Sequence, residues 1–168
     1  APAGAQAQAP APQGPGPFYG KSWALVVGIN RYQAMPHLSS AVRDAQDVAA
    51  TLPALGFPRE NIRVLLDGEA TKRRIEQVLY GDFRERIGSI DRLFVYFAGH
   101  GETSEVKDGE EGFLLPVDAD PKLLPSTAIS MDEIKRIATR VKARQVFFAL
   151  DACFSGLSLA RSGVAQSV

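Results

Sequence analysis

Four largely apolar runs of strand length constrain the fold of this chain more than any other feature. They are residues 23–29 (WALVVGI), 62–66 (IRVLL), 92–98 (RLFVYFA) and 145–150 (QVFFAL). Runs that are apolar almost throughout, without alternating polar residues, are typical of parallel strands buried on both faces of a sheet. A shorter run at residues 113–117 (FLLPV) predicts one further short strand.

Helical patterns separate these runs. From Ser40 to Leu55 the apolar residues recur every three or four positions, which is the period of one helix face, and Gly56 ends this helix. A second helix is predicted from Thr71, its N-cap, to Ile87. A capping box at residues 130–133 opens a third helix, which runs to Val141. The alternation predicts an α/β fold with a mostly parallel sheet and helices on both faces.

Composition narrows the classes of function. Lys and Arg total 19 and so do Asp and Glu, and this neutral chain without a basic block gives no reason to expect nucleic acid as its partner. No apolar run approaches the roughly 18 residues needed to span a bilayer, which predicts a soluble protein, either cytoplasmic or exported. Residues 1–20 are rich in Ala, Pro and Gly, which predicts a disordered tail or linker before a domain at 21–168.

Two reactive residue types directly follow two of the predicted strands. His100 lies between two glycines after the strand 92–98, and Cys153, the sole cysteine, follows the strand 145–150. The carboxyl ends of parallel strands share one edge of the sheet, where such folds bind ligands. A lone cysteine is more often a small buried hydrophobic residue than a nucleophile. The joint placement of Cys153 and His100 favours a nucleophilic role for Cys153.

Together these residues are suited to acyl transfer. An imidazole can take the thiol proton, which makes the thiolate nucleophile, and can later protonate the leaving amine. The backbone N–H groups of Gly101 and Cys153 would stabilise the oxyanion, because amides beyond strand ends are not consumed by the sheet.

The surrounding motifs, YFAGHG (96–101) and LDACFSG (150–156), resemble the two catalytic motifs of the caspase–metacaspase clan, especially its bacterial caspase-like members. In caspases the histidine also precedes the cysteine by about 50 residues. Further family-like segments extend the resemblance over most of residues 22–157: VVGINRY (26–32), AVRDA (41–45) and LLPVD (114–118). Asp151 stands where caspases have glutamine, and this variant resembles metacaspases, which cleave after Arg or Lys.

The resemblance implies a caspase-like three-layer sandwich and a cysteine endopeptidase. It makes His100 the general base and acid and Cys153 the nucleophile, with Gly101 and Cys153 as the oxyanion hole. Asp44 and Asp151 match the acidic specificity pocket of metacaspases, which implies protein substrates with a basic residue before the scissile bond. Asp151 can face the cleft, because residues two apart at a strand end point to the same side. Asp44 is equally well explained as a solvated charge in the first turn of a helix.

Other polar residues give weaker signals. His37 is expected to be a surface histidine. An acidic loop follows His100 and contains Glu102, Glu105, Asp108, Glu110 and Glu111. Many metacaspases need calcium, whose ligands are oxygens of this kind. The spacing of a dedicated calcium loop is absent, so Ca²⁺ stays an alternative and we assign no metal ligand.

Caspase-type domains continue beyond the catalytic cysteine with two more strands. The sequence ends at Val168, so we expect a processed or truncated large subunit, or a short member, without the small-subunit strands. The open sheet edge would need a small-subunit or dimer partner. The alternative to a peptidase is therefore a non-catalytic module of the same fold that binds a partner through this edge. Arg161 lies in a Ser/Gly-rich tail, which predicts autoprocessing at the Arg161–Ser162 bond in a longer parent chain.

Overall fold

The computed structural model describes residues 18–106 and 109–153. Its elements in chain order are β1 (Ser22–Gly28), α1 (Ala41–Thr51), β2 (Ile62–Leu66), α2 (Lys72–Glu76), β3 (Arg92–Ala98), β4 (Gly101–Val106), β5 (Gly109–Leu114), α3 (Leu124–Thr127), β6 (Ile129–Ser130), α4 (Met131–Arg140) and β7 (Gln145–Asp151). Within the described residues, no helix is both long and apolar enough to cross a membrane.

A four-stranded sheet forms the centre of the molecule. Its strand order is β2-β1-β3-β7, and every neighbouring pair is parallel. The four apolar runs of the sequence are these strands, shifted by no more than one residue at either end. The predicted mostly parallel sheet is confirmed, and β7 is an edge strand among the described residues.

Helices cover both faces of this sheet. Because side chains alternate along a strand, Trp23, Leu25 and Val27 of β1 face one core, which also contains Ile75 of α2 and Ile137 of α4. The intervening residues Ala24 and Val26 face a second core, with Ala41 and Ala45 of α1. The three-layer α/β architecture expected from the sequence is therefore present.

Two of the predicted helix starts have the expected side-chain caps. The Thr71 hydroxyl accepts the backbone N–H of Arg74 at 3.2 Å, and the Ser130 hydroxyl accepts that of Glu133 at 3.1 Å. Each bond satisfies one of the backbone donors that a helix start leaves without an intrahelical partner. The first helix differs, because the side chain of Ser40 makes no capping bond and Asn30 Oδ1 accepts the N–H of Val42 at 3.2 Å.

The predicted helix from Thr71 to Ile87 is only partly α-helical. The α-helix ends at Glu76, and residues Gln77–Asp82 continue as a π-helix, where the N–H of Phe83 bonds to the carbonyl of Val78 at 2.9 Å. Val78 and Phe83 are both fully buried, so packing against the core accompanies the wider turn. A single-period helix pattern does not distinguish these two geometries.

The acidic segment after His100 is a β-hairpin, and its prediction as a loop was wrong. Strands β4 and β5 pair antiparallel, and β6 adds a third strand. The predicted strand at residues 113–117 accordingly ends at Leu114 and belongs to β5. Glutamate has low β-propensity, but the buried Phe113 and Leu114 anchor the hairpin to the core. Asp108 lies outside the described residues.

Several sequence predictions concern parts of the chain that are not described. Residues 1–17 of the expected tail and residues 154–168, with Arg161, lie outside the described residues. Residues 18–20 of the expected tail are described and contact the domain. The N–H of Gly20 donates to the carbonyl of Ile90 at 2.8 Å.

Candidate active site

The pairing of β3 with β7 brings the two predicted catalytic residues to one edge of the sheet. The paired residues run from Arg92 opposite Gln145 to Ala98 opposite Asp151, and the N–H of Gly99 donates to the carbonyl of Asp151 at 3.2 Å. His100 and Cys153 each lie two residues beyond the last pair. Neighbouring strands are about 4.8 Å apart, so the two segments leave the sheet side by side. Cys153 is exposed and His100 is half-buried.

The imidazole of His100 is held by a loop that follows β1. Its Nε2 lies 2.9 Å from the backbone carbonyl oxygen of Pro36. A carbonyl oxygen can only accept, so Nε2 carries the proton in the neutral ring and Nδ1 is the nitrogen with a free lone pair. A hydrogen bond at one ring nitrogen thus selects the tautomer in which the other is a base.

The backbone of His100 is held by Tyr32 and Leu115. The N–H of His100 donates to the Tyr32 hydroxyl at 2.7 Å, and this hydroxyl donates to the carbonyl of Leu115 at 3.1 Å. The N–H of Leu115 returns to the carbonyl of His100 at 3.0 Å. Sequence reasoning assigned no role to Tyr32 or Pro36. Tyr32 ends the family-like segment VVGINRY (26–32), whereas Pro36 lies outside every segment that resembles the family, and no periodicity links either residue to His100.

The amide of Gly101 points away from the adjacent strand. The bond from Leu115 to the His100 carbonyl makes Gly101 and Leu114 a non-hydrogen-bonded pair of the antiparallel ladder. In such a pair the N–H groups are directed outward from the two strands. This orientation is compatible with the predicted oxyanion role of Gly101, which stays a prediction, as does that of the Cys153 amide.

The two predicted specificity carboxylates both act on Tyr96. The Tyr96 hydroxyl donates to Asp151 Oδ2 at 3.4 Å. Burial raises the pKa of Tyr96 to about 12, and the negative charges of Asp151 and Asp44 add to the increase. Asp151 is exposed, and Asp44 is half-exposed in the first turn of α1, with its carboxylate 3.8 Å from Arg43 Nε. Tertiary structure therefore places both carboxylates within electrostatic range of one phenol.

The remaining polar residues do not form a metal site in the part of the chain that the structure describes. No group of three or more His, Cys, Asp or Glu side chains gathers there closely enough to hold an ion. Glu105 lies directly opposite Glu110 in the β4–β5 hairpin, a cross-strand pair of like charges. His37 is exposed, in agreement with the expected surface histidine.

Comparisons with known proteins identify the family of this chain. The family model of the caspase domain of peptidase family C14 matches residues 21–167. Over 150 residues the chain is 33% identical to a probable protease of a Desulfuromonadales bacterium, covering 79% of this chain and 18% of that protein. It is 31% identical to metacaspase-3 of Arabidopsis thaliana over 159 residues, covering 86% of this chain and 42% of the relative.

A solved structure has the same fold. The crystal structure of protein GSU0716 from Geobacter sulfurreducens superposes with a TM-score of 0.66 at 22% identity, covering 82% of this chain and 52% of that one. The chain spans between about a fifth and about two fifths of the two curated relatives named above. With its matching family model and its parallel sheet, the chain belongs to the caspase-domain family of cysteine peptidases.

Proposed function

We propose that this chain is the catalytic part of a cysteine endopeptidase that uses His100 and Cys153 and cleaves after Arg or Lys. The observation that carries this proposal is the register of β3 and β7, which ends with Ala98 opposite Asp151. His100 and Cys153 are the second residues beyond that pair. The bond from His100 Nε2 to Pro36 supports the proposal further, because it leaves Nδ1 as the base.

The reaction follows from these groups. His100 Nδ1 takes the thiol proton of Cys153, and the thiolate sulfur attacks the carbonyl carbon of the scissile bond. The N–H groups of Gly101 and Cys153 stabilise the resulting oxyanion. The carbon–nitrogen bond breaks as His100 returns its proton to the amine, which leaves a thioester. Water then attacks the thioester, with His100 again as base, and the acid product departs.

The basic specificity is supported by the charges around Tyr96. Asp44 and Asp151 are the carboxylates that influence this phenol, and a guanidinium can pair with a carboxylate through two parallel hydrogen bonds. Protein or peptide substrates with Arg or Lys before the scissile bond would bring the complementary charge. The same negative charge disfavours the thiolate of Cys153, so protonation of His100 must offset it.

A fluorogenic peptide panel tests the proposal. Peptides with Arg, Lys or Asp before the scissile bond are assayed with and without calcium, for the wild type, Cys153→Ala and His100→Ala. We expect both variants to lose hydrolysis while circular dichroism stays unchanged, because both residues lie beyond the strand ends and outside the core. His37→Ala changes the other histidine, which is exposed, and serves as the matched control. Wild-type turnover by Cys153→Ala would eliminate the assigned nucleophile.

Thiol labelling gives a second test that needs no substrate. Cys153 is the sole cysteine, so any alkylation reports on this residue. We expect iodoacetamide to react with it faster than with a free thiol at neutral pH, and more slowly in His100→Ala. Labelling of the wild type as slow as that of an unactivated thiol would indicate a structural cysteine.

Autoprocessing at Arg161–Ser162 is proposed for the same enzyme. The bond lies eight residues after Cys153, and the tether would give it a high effective concentration near the site. Intact mass analysis of a longer parent chain should show a fragment that ends at Arg161 and is absent from Cys153→Ala and from Arg161→Gln. If peptides are cleaved under conditions in which this fragment never appears, Arg161 is an ordinary surface charge.

A second candidate function is partner binding through β7. Phe147 of this edge strand is 45% exposed and stacks on Phe94, with ring centroids 5.9 Å apart, beside an apolar cavity of about 340 Å³. We propose that the partner is a further β-strand, supplied by a small subunit or a second copy. Size-exclusion chromatography should then show less association for Phe147→Asp than for Leu123→Asp, which changes another exposed apolar residue. Equal elution of the two variants would remove this candidate.

A further inference from the structure

The Tyr32 hydroxyl forms part of a closed hydrogen-bond ring with the backbone of His100. His100 donates its N–H to the hydroxyl, the hydroxyl donates to the Leu115 carbonyl, and the Leu115 N–H donates to the His100 carbonyl. The two N–H···O distances of 2.7 and 3.0 Å are within the normal range, and the O–H···O distance of 3.1 Å is slightly longer than usual. The ring therefore satisfies both backbone polar groups of His100, beyond the end of the parallel sheet.

The phenol is built into the core and does not titrate near neutral pH. Tyr32 is 3% exposed, and its ring lies beside the imidazole of His100, with centroids 4.7 Å apart. Burial raises the pKa of Tyr32 far above its usual range, and the negative charge of Asp67 adds to the increase. The hydroxyl thus keeps its proton and remains a donor to Leu115 throughout the pH range in which a Cys–His pair works.

The close approach of this hydroxyl explains the glycine before His100. A Cβ atom added at Gly99 would lie 2.4 Å from the Tyr32 oxygen and 3.0 Å from Phe97. Real Cβ atoms do not approach another heavy atom to 2.4 Å, so any side chain at position 99 would displace the phenol or the main chain next to His100. The glycine and the tyrosine are complementary parts of one local structure.

The loop that carries Tyr32 is anchored at its start. Asp67 Oδ1 accepts the N–H groups of Asn30 and Arg31 at 2.7 and 2.9 Å, and the Asn30 carbonyl accepts the N–H of Leu38 at 2.9 Å. Asp67 has a positive φ of 44°, a conformation that Asp and Asn tolerate better than most residues. The same loop supplies the Pro36 carbonyl to the imidazole, so its position determines both contacts of His100.

We propose that Tyr32 is a positioning residue for peptide-bond hydrolysis, because its hydroxyl fixes the backbone from which the His100 imidazole projects. This inference rests on the proposed role of His100 as base. Tyr32 does not touch the reacting atoms in this role. It acts by keeping the imidazole within the narrow geometry that proton transfer to and from the substrate requires.

Tyr32→Phe removes one oxygen atom and keeps the buried ring. We expect kcat to fall about 10- to 100-fold for Arg and Lys peptides alike, with KM changed by no more than about twofold, because misplacement of a catalytic group reduces the rate more than ground-state binding. Tyr80→Phe is the matched control, since Tyr80 lines a separate surface pocket with Arg84 and Arg140. Its kinetic constants should equal those of the wild type.

A spectroscopic readout separates this inference from the proposed function. The chain has two histidines, so the Cε1–H resonances of His37 and His100 can be followed individually by NMR in Cys153→Ala protein. Tyr32→Phe should move the His100 resonance and leave the His37 resonance unchanged. If Cys153→Ala retains full hydrolysis, the proposed function fails, but the His100 resonance still decides whether Tyr32 positions the ring. An unmoved His100 resonance overturns the inference, whatever happens to kcat.

A second pair of variants covers the case in which Tyr32→Phe does not fold. Asp67→Ala removes the acceptor that anchors the loop, whereas Asp67→Asn keeps an acceptor oxygen and tolerates the positive φ. We expect Asp67→Ala to lower kcat and move the His100 resonance, and Asp67→Asn to restore both. Identical kcat and His100 resonance in the two variants would contradict a role for the loop and for Tyr32.

Discussion

Asp151 combines two opposing electrostatic effects at one position. It lies two residues before Cys153, so its negative charge disfavours the thiolate, whereas in the proposed specificity pocket the same charge would favour a basic substrate side chain. The carboxylate is exposed, and the Tyr96 hydroxyl donates to it at 3.4 Å, a distance that makes this O–H···O bond longer and weaker than usual. Solvent screening limits the contribution of an exposed charge pair. Asp151 therefore contributes to catalysis only when a bound substrate covers its carboxylate and excludes water from the ion pair.

Asp151→Asn should lower kcat/KM for Arg peptides by about tenfold. A hydrogen bond to a charged group contributes about 1.5–3 kcal/mol, or one to two decades in rate, and partial exposure favours the lower end. The measurement compares Arg-ending and Asp-ending peptides. Asp132→Asn, at an exposed carboxylate on α4, is the control. Equal cleavage of the two peptides by the wild type would refute an acidic pocket.

At the scale of elements, the contact between α1 and β1 places Asp44 near the sheet. Gly28, the last residue of β1, lies against the first turns of α1. A Cβ at Gly28 would be 2.5 Å from Ala45 Cβ and 2.6 Å from the Ala41 carbonyl oxygen. Small residues on both elements let the helix backbone approach closely. This approach puts Asp44 within electrostatic range of Tyr96.

Gly28→Ala should therefore push α1 away from β1. We expect a loss of about 1–3 kcal/mol in the free energy of unfolding, as for other overpacked cores, and a lower kcat/KM for Arg peptides. Gly68→Ala is the control, because an added Cβ there has no heavy atom within 4 Å. Urea denaturation measures the first effect and peptide assays the second. If Gly28→Ala and Gly68→Ala have the same free energy of unfolding, the displacement of α1 does not destabilise the protein.

At the scale of the whole molecule, Asp91 ties together the amino ends of three strands. Its carboxylate accepts the N–H of Lys21 at 2.8 Å, the Trp23 indole N–H at 3.0 Å and the Gly88 N–H at 2.9 Å. Its carbonyl accepts the N–H of Arg144 at 2.8 Å, just before β7. Burial raises the pKa of Asp91, but the hydrogen bonds from Gly88, Trp23 and Lys21 together lower it below its ordinary value of 3.8.

This lowered pKa predicts a pH-dependent contribution to stability. The folded state binds the Asp91 proton more weakly than the unfolded state, so the stabilisation is complete well above pH 3.8 and is lost as the pH falls through the folded pKa.

Asp91→Asn should lower the free energy of unfolding by about 1–3 kcal/mol at pH 7, because buried donors lose acceptors. The difference in free energy of unfolding between Asp91→Asn and the wild type should become smaller as the pH is lowered. Urea denaturation between pH 7 and pH 3 measures it, with Asp47→Asn as an exposed control. A constant difference would contradict the linkage.

The parallel sheet, and the edge at which His100 and Cys153 lie, could be predicted from the sequence alone. Long apolar runs specify buried strands, and a parallel arrangement then requires the residues after those strands to share one edge. The caps of α2 and α4 were also predictable, since a Ser or Thr side chain reaches a backbone donor only three residues away. Each of these features depends on local pattern or on a general rule of topology.

Tertiary structure alone decided what surrounds the imidazole. The Tyr32 hydroxyl meets the backbone of His100 across 68 residues and that of Leu115 across 83. No sequence period encodes such contacts, because each depends on how separate loops pack. The hairpin β4–β5 arises in the same way, since pairing and the burial of Phe113 outweigh the low β-propensity of its glutamates. The candidate catalytic residues are therefore visible in the sequence, whereas the groups that hold His100 in place depend on long-range packing.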